Sequence, residues 1–139
     1  LSYIDREDFK ANTYLGHIAL KQEDYRAARF NYMMSTFRGK KKRDEEFFGL
    51  ATVYLLTDKL PQAINAYKEA FSENPSNYKA LYQVAKLSDD YYKDKKIAYK
   101  NYIRYIERFY EKDEVINAFV RRRIKEIKKD YFIRGESLK

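Results

Sequence analysis

His17 is the only histidine of the 139-residue chain, and there is no cysteine. A catalytic or metal-bound imidazole needs a nucleophile or a co-ligand beside it. With neither a second His nor a Cys available, His17 reads as a packed or surface residue. Carboxylates come in three runs, Asp44-Glu45-Glu46, Asp89-Asp90 and Asp113-Glu114. Paired carboxylates perform acid/base chemistry only when they face one another, whereas neighbours along a helix point apart. The first and last runs stand where helices are expected to begin, so capping and the helix dipole are the preferred reading. The run Arg38-Gly39-Lys40-Lys41-Lys42-Arg43 could hold phosphate, but Asp44, Glu45 and Glu46 follow it directly and favour a solvated linker. Lys95, Lys96, Tyr99, Lys100, Tyr102, Arg104, Tyr105, Arg108 and Tyr110 interleave cations with rings, as single-stranded nucleic acid binders do. Tyr102, Tyr105, Ile106 and Phe109 nevertheless follow helical spacing, with Tyr99, Ile103 and Tyr110 widening the stripe, and packing is the stronger reading.

The composition narrows the chemistry further. Without Cys there is no thiolate nucleophile, no disulfide framework and no zinc site of Cys or paired His, and the redox compartment stays open. The chain has no Gly-x-Ser-x-Gly elbow, no Gly-x-Gly-x-x-Gly and no phosphate loop, so the expectation is a non-enzyme with no catalytic, cofactor-binding or metal-binding residues. Four Gly and two Pro are too few for a hairpin-rich β fold. No apolar run reaches the roughly 18 residues of a membrane span. The net charge of +8 is concentrated in residues 91–139, which hold 15 Lys and Arg against 8 Asp and Glu. The chain begins at Leu1 rather than Met and reads as a piece of a longer protein, so no localisation is assigned.

The elements that must position these residues show themselves as a repeat. Phe47, Leu50-Ala51, Tyr54, Ala63, Tyr67, Ala70 and Pro75 form a skeleton. Leu15-Gly16, Ala28 and Tyr32 repeat it 35 residues upstream, and Val84-Ala85, Ala98 and Tyr102 repeat it 34 or 35 residues downstream. These residues resemble the tetratricopeptide repeat family, whose signature is an aromatic, Leu-Gly, Tyr, Ala, Phe and Pro at fixed offsets. The middle copy matches best. In the first, Asn12 replaces the aromatic and Ala19 the Tyr. In the third, Leu81 and Ser88 stand at those places, and one extra residue separates the two helices.

The expected fold is all-α: a single domain over 1–139, with repeats at about 9–42, 44–77 and 78–112 and a capping helix over 113–134. The resemblance implies a right-handed α-solenoid, and the periodicity predicts seven antiparallel helices at 8–21, 24–37, 44–56, 60–73, 77–90, 94–110 and 113–133. Small residues Gly16, Ala28, Ala51, Ala63, Ala85 and Ala98 are expected where paired helices cross closely. In the last helix Val115, Ile116, Phe119, Val120, Ile124, Ile127 and Tyr131 are expected to face the core. Arg121, Arg122, Lys125, Lys128 and Lys129 are expected to face water, as a solenoid cap requires.

Members of this family commonly bind an extended peptide or a partner helix in a concave groove lined by the first helix of each repeat. Carried over by position, that groove comprises Tyr14, His17, Phe48, Thr52, Tyr82, Gln83 and Lys86, with Lys10, Thr13, Leu55 and Lys79 beside them. The subclass that clamps a C-terminal carboxylate uses Lys, Asn, Asn, Lys and Arg. Only Lys79 agrees here, and Thr13, His17, Gly49 and Gln83 hold the other places, so that activity is not expected. The expected function is a module that binds a protein or peptide. The alternatives are binding of nucleic acid or an anionic surface through the basic C-terminal third, or a structural segment of a longer repeat protein. Partner identity and oligomeric state are not legible.

Overall fold

A computed structural model describes residues 2–37 and 43–139, with side chains at 10–35 and 43–139. Among the described residues there are seven helices and no strand: α1 (Ser2–Lys21), α2 (Tyr25–Phe37), α3 (Asp44–Leu56), α4 (Leu60–Glu73), α5 (Tyr78–Tyr91), α6 (Lys95–Phe109) and α7 (Glu114–Arg134). The expected boundaries hold within a residue or two, except that α1 begins at Ser2 rather than near residue 8. Two compact units divide the chain, Leu1–Asn77 and Tyr78–Lys139. Consecutive helices pack together within each, α1 on α2, α2 on α3 and α3 on α4 in the first, then α5 on α6 and α6 on α7 in the second.

In the first unit the turn geometry repeats along with the sequence. At the end of α1, the amide of Glu23 donates to Leu20 O and that of Asp24 to Ala19 O. At the end of α3, Asp58 donates to Leu55 O and Lys59 to Tyr54 O, the same pair of bonds 35 residues on. This is the Schellman arrangement, which reverses the chain through one left-handed residue. Glu23 (φ 58°) and Asp58 (φ 60°) take that conformation without being glycine. Asp24 then starts α2 by accepting the Ala27 amide through Oδ1 at 3.1 Å. Pro61 occupies the first turn of α4, where its missing N–H costs nothing.

The core of this unit is built on Tyr32, which is fully buried together with Ala28, Ala51, Val53, Ala63 and Ala70. Its ring lies against bare backbone of two helices. A Cβ added at Gly16 on α1 would stand 2.7 Å from Tyr32 Cε1, and one added at Gly49 on α3 would stand 2.5 Å from Cζ. The close crossing expected at Gly16 is therefore real, and Gly49 shares it. Asp44, Glu45 and Glu46 stand in the first turn of α3, where the helix dipole favours them as expected, but they do not cap it. The N-cap position is Arg43, with no side-chain cap bond. Asp44 instead accepts the side-chain amides of Asn74 (3.1 Å) and Asn77 (2.9 Å), tying the turn after α4 to the start of α3.

In the second unit Asp94 caps α6 by accepting the Lys96 amide, and Asp113 caps α7 by accepting those of Val115 and Ile116. Gly135 (φ 68°) closes α7 with a third Schellman turn. The extra residue of the third copy lies within α5, which has 14 residues against 13 in α3, rather than in the turn that follows. Tyr102, Tyr105, Phe109, Val120, Ile127 and Tyr131 are buried, so the aromatic stripe of α6 is core, although Tyr110 at its end is exposed. Val115 does not join the stripe of α7 and is 81% exposed. Five residues separate it from Val120, and at 3.6 residues per turn that rotates it about 140° off the buried face.

Candidate interaction surfaces

Of the seven residues expected to line a groove, Tyr14, His17, Phe48 and Thr52 lie in the first unit and Tyr82, Gln83 and Lys86 in the second. His17 ties three helices together. Its Nδ1 is 2.6 Å from the Tyr32 hydroxyl and its Nε2 2.8 Å from Glu45 Oε1, while its ring meets Tyr32 edge-on at 5.4 Å. Burial, reinforced by the charges of Glu45 and Glu46, pushes the Tyr32 hydroxyl up to about 12, so it keeps its proton. The Tyr32 hydroxyl and the Glu45 carboxylate thus occupy the two ring nitrogens of His17. Both nitrogens are used in positioning α1 against α2 and α3. One helical turn away, Thr13 Oγ1 donates to Glu46 Oε2 at 3.1 Å. Glu46 is buried, and burial first, then the Glu45 and Asp44 charges, raise its carboxyl above the usual range against the bonds from its backbone and Thr13.

Tyr14 is 68% exposed. Phe48 and Tyr82, expected to line the same groove, are half-buried. Phe48 packs edge-on against Tyr67 at 5.0 Å, and Tyr82 packs against Tyr105 at 6.2 Å and Phe119 at 6.0 Å. The second helix of each pair, and α7, supply aromatic neighbours that the register of the first helices did not include. Thr52 Oγ1 donates to Phe48 O at 2.9 Å and lies 3.3 Å from the Tyr67 hydroxyl. Lys86 pairs with Asp90 at 3.0 Å and stands 5.8 Å from the centre of the Phe119 ring. Gln83 is half-buried.

The strongest polar cluster is one that sequence reasoning missed. Asp89 is buried, with its carboxylate held by Arg123 Nε at 2.7 Å and Nη2 at 2.9 Å and by the Tyr102 hydroxyl at 2.9 Å. Lys95 Nζ lies 3.5 Å from Asp89 Oδ1 and also donates to the Asp89 carbonyl. Burial by itself would raise the Asp89 carboxyl. The hydrogen bonds from Arg123 and Tyr102, with the charges of Arg123 and Lys95, outweigh it and hold the group below the ordinary carboxylate range. The same cluster drives the Tyr102 hydroxyl far upward, through burial and then the Asp89 charge. The cluster joins α5, α6 and α7. Its signal in the sequence was Arg123, a cation three residues after Val120 and four before Ile127, on the face those two bury.

Hollows also mark the surface of the described residues. One, of about 600 Å³, lies between α6 and α7 and is lined by Ile103, Ile106, Ile124, Arg121, Arg122 and Lys125. Another, of about 260 Å³, is lined by Tyr25, Arg26, Arg29, Val53, Thr57 and Lys59. The five cations assigned to the outer face of α7 are all exposed. Residues 38–42, including Lys40, Lys41 and Lys42, lie outside the described residues. Arg43, the last of that basic run, donates to Glu73 Oε1 at 3.1 Å and lies over the Phe47 ring at 5.4 Å. Among the described residues no helix is long and apolar enough to cross a membrane, and no three acidic or His side chains gather as metal ligands do. No protein-family model matches the chain, and no curated protein matches it either.

Proposed function

We propose that the chain is a non-enzymatic interaction module, resembling tetratricopeptide repeats, that binds a peptide or partner helix on the surface formed by α1 and α3, the first helices of its first two repeats. The observation that carries this reading is the side-by-side placement of α1 and α3, joined by His17–Glu45 (2.8 Å) and Thr13–Glu46 (3.1 Å), with the exposed Tyr14 on the same stretch of α1. The Schellman turns repeated at 35 residues support it, because they return the chain identically after α1 and after α3. His17 and Glu45 stiffen the surface, and Tyr14 supplies an aromatic contact of the kind that concentrates binding energy.

The test is retention of partners from the native source by the full chain, with two variants. Tyr14→Ser should lose the partner, and its fold should be unaffected because the ring is exposed. Replacing Lys40, Lys41 and Lys42 by Glu should not matter. Loss in the charge-reversed variant alone, together with binding that weakens steeply as salt rises, would replace this reading with an anionic partner.

A further inference from the structure

The hollow between α6 and α7 has a floor and a rim of different chemistry. Ile103 and Ile106 from α6 and Ile124 from α7 are half-buried and form an apolar floor. Arg121, Arg122 and Lys125 stand exposed around it. Arg121 and Lys125 are one turn apart on α7, and Arg122 lies 5.2 Å from the centre of the Phe119 ring.

Charge pairing separates these cations from Arg123 and Arg134 on the same helix. Arg123 is consumed by Asp89 and Glu126, and Arg134 by Asp130 and Glu136. Arg121, Arg122 and Lys125 have no carboxylate partner among the described residues. Three uncompensated cations at the edge of an aliphatic hollow leave both charge and apolar area unmatched. From this complementarity we infer that the α6–α7 groove is a docking site for an acidic peptide segment, one that inserts an aliphatic or aromatic side chain onto Ile103, Ile106 and Ile124 and sets flanking Asp or Glu against Arg121, Arg122 and Lys125.

The hollow, about 600 Å³ and open on one side, has room for an aliphatic or aromatic side chain laid across its floor. A nucleic acid would find cations here but no ring on the floor, and stacking on rings is what holds single strands. A membrane surface would meet the rim cations whether or not the isoleucines were there, so sensitivity to the floor separates the two. The site lies wholly in the second unit and does not depend on the α1–α3 surface proposed above.

The experiment is fluorescence anisotropy with the full chain and a labelled helical peptide carrying two leucines one turn apart, flanked by glutamates. Companion probes are the same peptide with both leucines changed to serine, vesicles containing phosphatidylserine, and an oligothymidylate. Arg121→Gln with Lys125→Gln alters only exposed side chains, and Ile103→Ser tests the floor, with circular dichroism verifying that each variant folds. The expected result is saturable binding of the leucine peptide, weakened about tenfold by the double charge variant. The serine peptide and the Ile103→Ser protein should each lose a comparable factor. Equal binding of the leucine and serine peptides would overturn the proposal by showing a plain charged surface. So would peptide binding indifferent to both sets of variants, or tighter and variant-sensitive binding of the vesicles or the oligonucleotide.

Discussion

Replacing Gly49 by Ala sets two opposed effects against each other at one position. In a helix interior the change should stabilise by about 1 kcal/mol, because alanine loses less backbone entropy on folding. Here the new Cβ would stand 2.5 Å from Cζ, 2.6 Å from Cε1 and 2.8 Å from Cε2 of Tyr32. Those separations are roughly 1 Å inside ordinary carbon–carbon contact. The ring has little room to yield, since it also lies against the backbone at Gly16, and its hydroxyl is held by His17. Overpacking of this kind costs about 1–3 kcal/mol, and so tight a clash belongs at the upper end. The expected net loss is about 2 kcal/mol, or a fall in melting temperature of about 8 °C. Thermal and urea denaturation followed by circular dichroism would measure it. A cycle with Tyr32→Leu isolates the cause: with the ring gone, Gly49→Ala should recover more than about 1 kcal/mol relative to additivity. A Gly49→Ala protein as stable as the parent, or additive behaviour in the cycle, would show that the ring and the α3 backbone are not in contact.

Asp89→Asn should destabilise by about 2–4 kcal/mol, since it leaves Arg123 and Lys95 without their shared counter-charge, and urea denaturation at neutral pH would show it. The folded Asp89 carboxyl lies below its unfolded value of about 3.9, so its contribution is present above that pH and fades as pH falls toward the folded value. The gap between parent and Asp89→Asn should therefore narrow below about pH 4, and a gap that widened on acidification would contradict the assignment. Glu46 runs the other way. Its raised carboxyl costs stability at neutral pH, so Glu46→Gln, which can still accept from Thr13, should be neutral or stabilising by up to about 1 kcal/mol at pH 7, with the gain vanishing below about pH 4. Two tyrosines of α6 should separate. Tyr102→Phe loses a bond to a carboxylate and should cost about 1.5–3 kcal/mol, whereas Tyr105, whose buried hydroxyl has no partner among the described residues, should tolerate Phe or gain up to about 1 kcal/mol in thermal denaturation. Ala63→Leu, at a fully buried position, should cost about 1–3 kcal/mol, and a neutral outcome would mean the α3–α4 crossing is misplaced.

Local and periodic information in the sequence determined the elements. Seven helices follow from 3.6-residue spacing of Ala, Tyr and Ile, from Pro61 in a first turn, and from Asp113 at a helix start, because each depends on neighbours within a turn or two. The burial of Ala28, Ala63 and Ala98 and of Tyr102 and Tyr105 was legible for the same reason: the repeat places them at the helix crossings. What the tertiary structure decided is what meets across helices. Asp89 finds Arg123 from 34 residues away, and Tyr32 fits against Gly16 and Gly49 at once. Phe48 and Tyr82 are covered by rings of other helices, although their own register marks them as outward. Ile103, Ile106 and Ile124 read in sequence as stripe residues of two separate helices, and Arg121, Arg122 and Lys125 as a solvated face. Only the packing of α6 on α7 gathers them around one hollow, because periodicity fixes the face of a helix but not the side chains that a neighbouring helix brings to it.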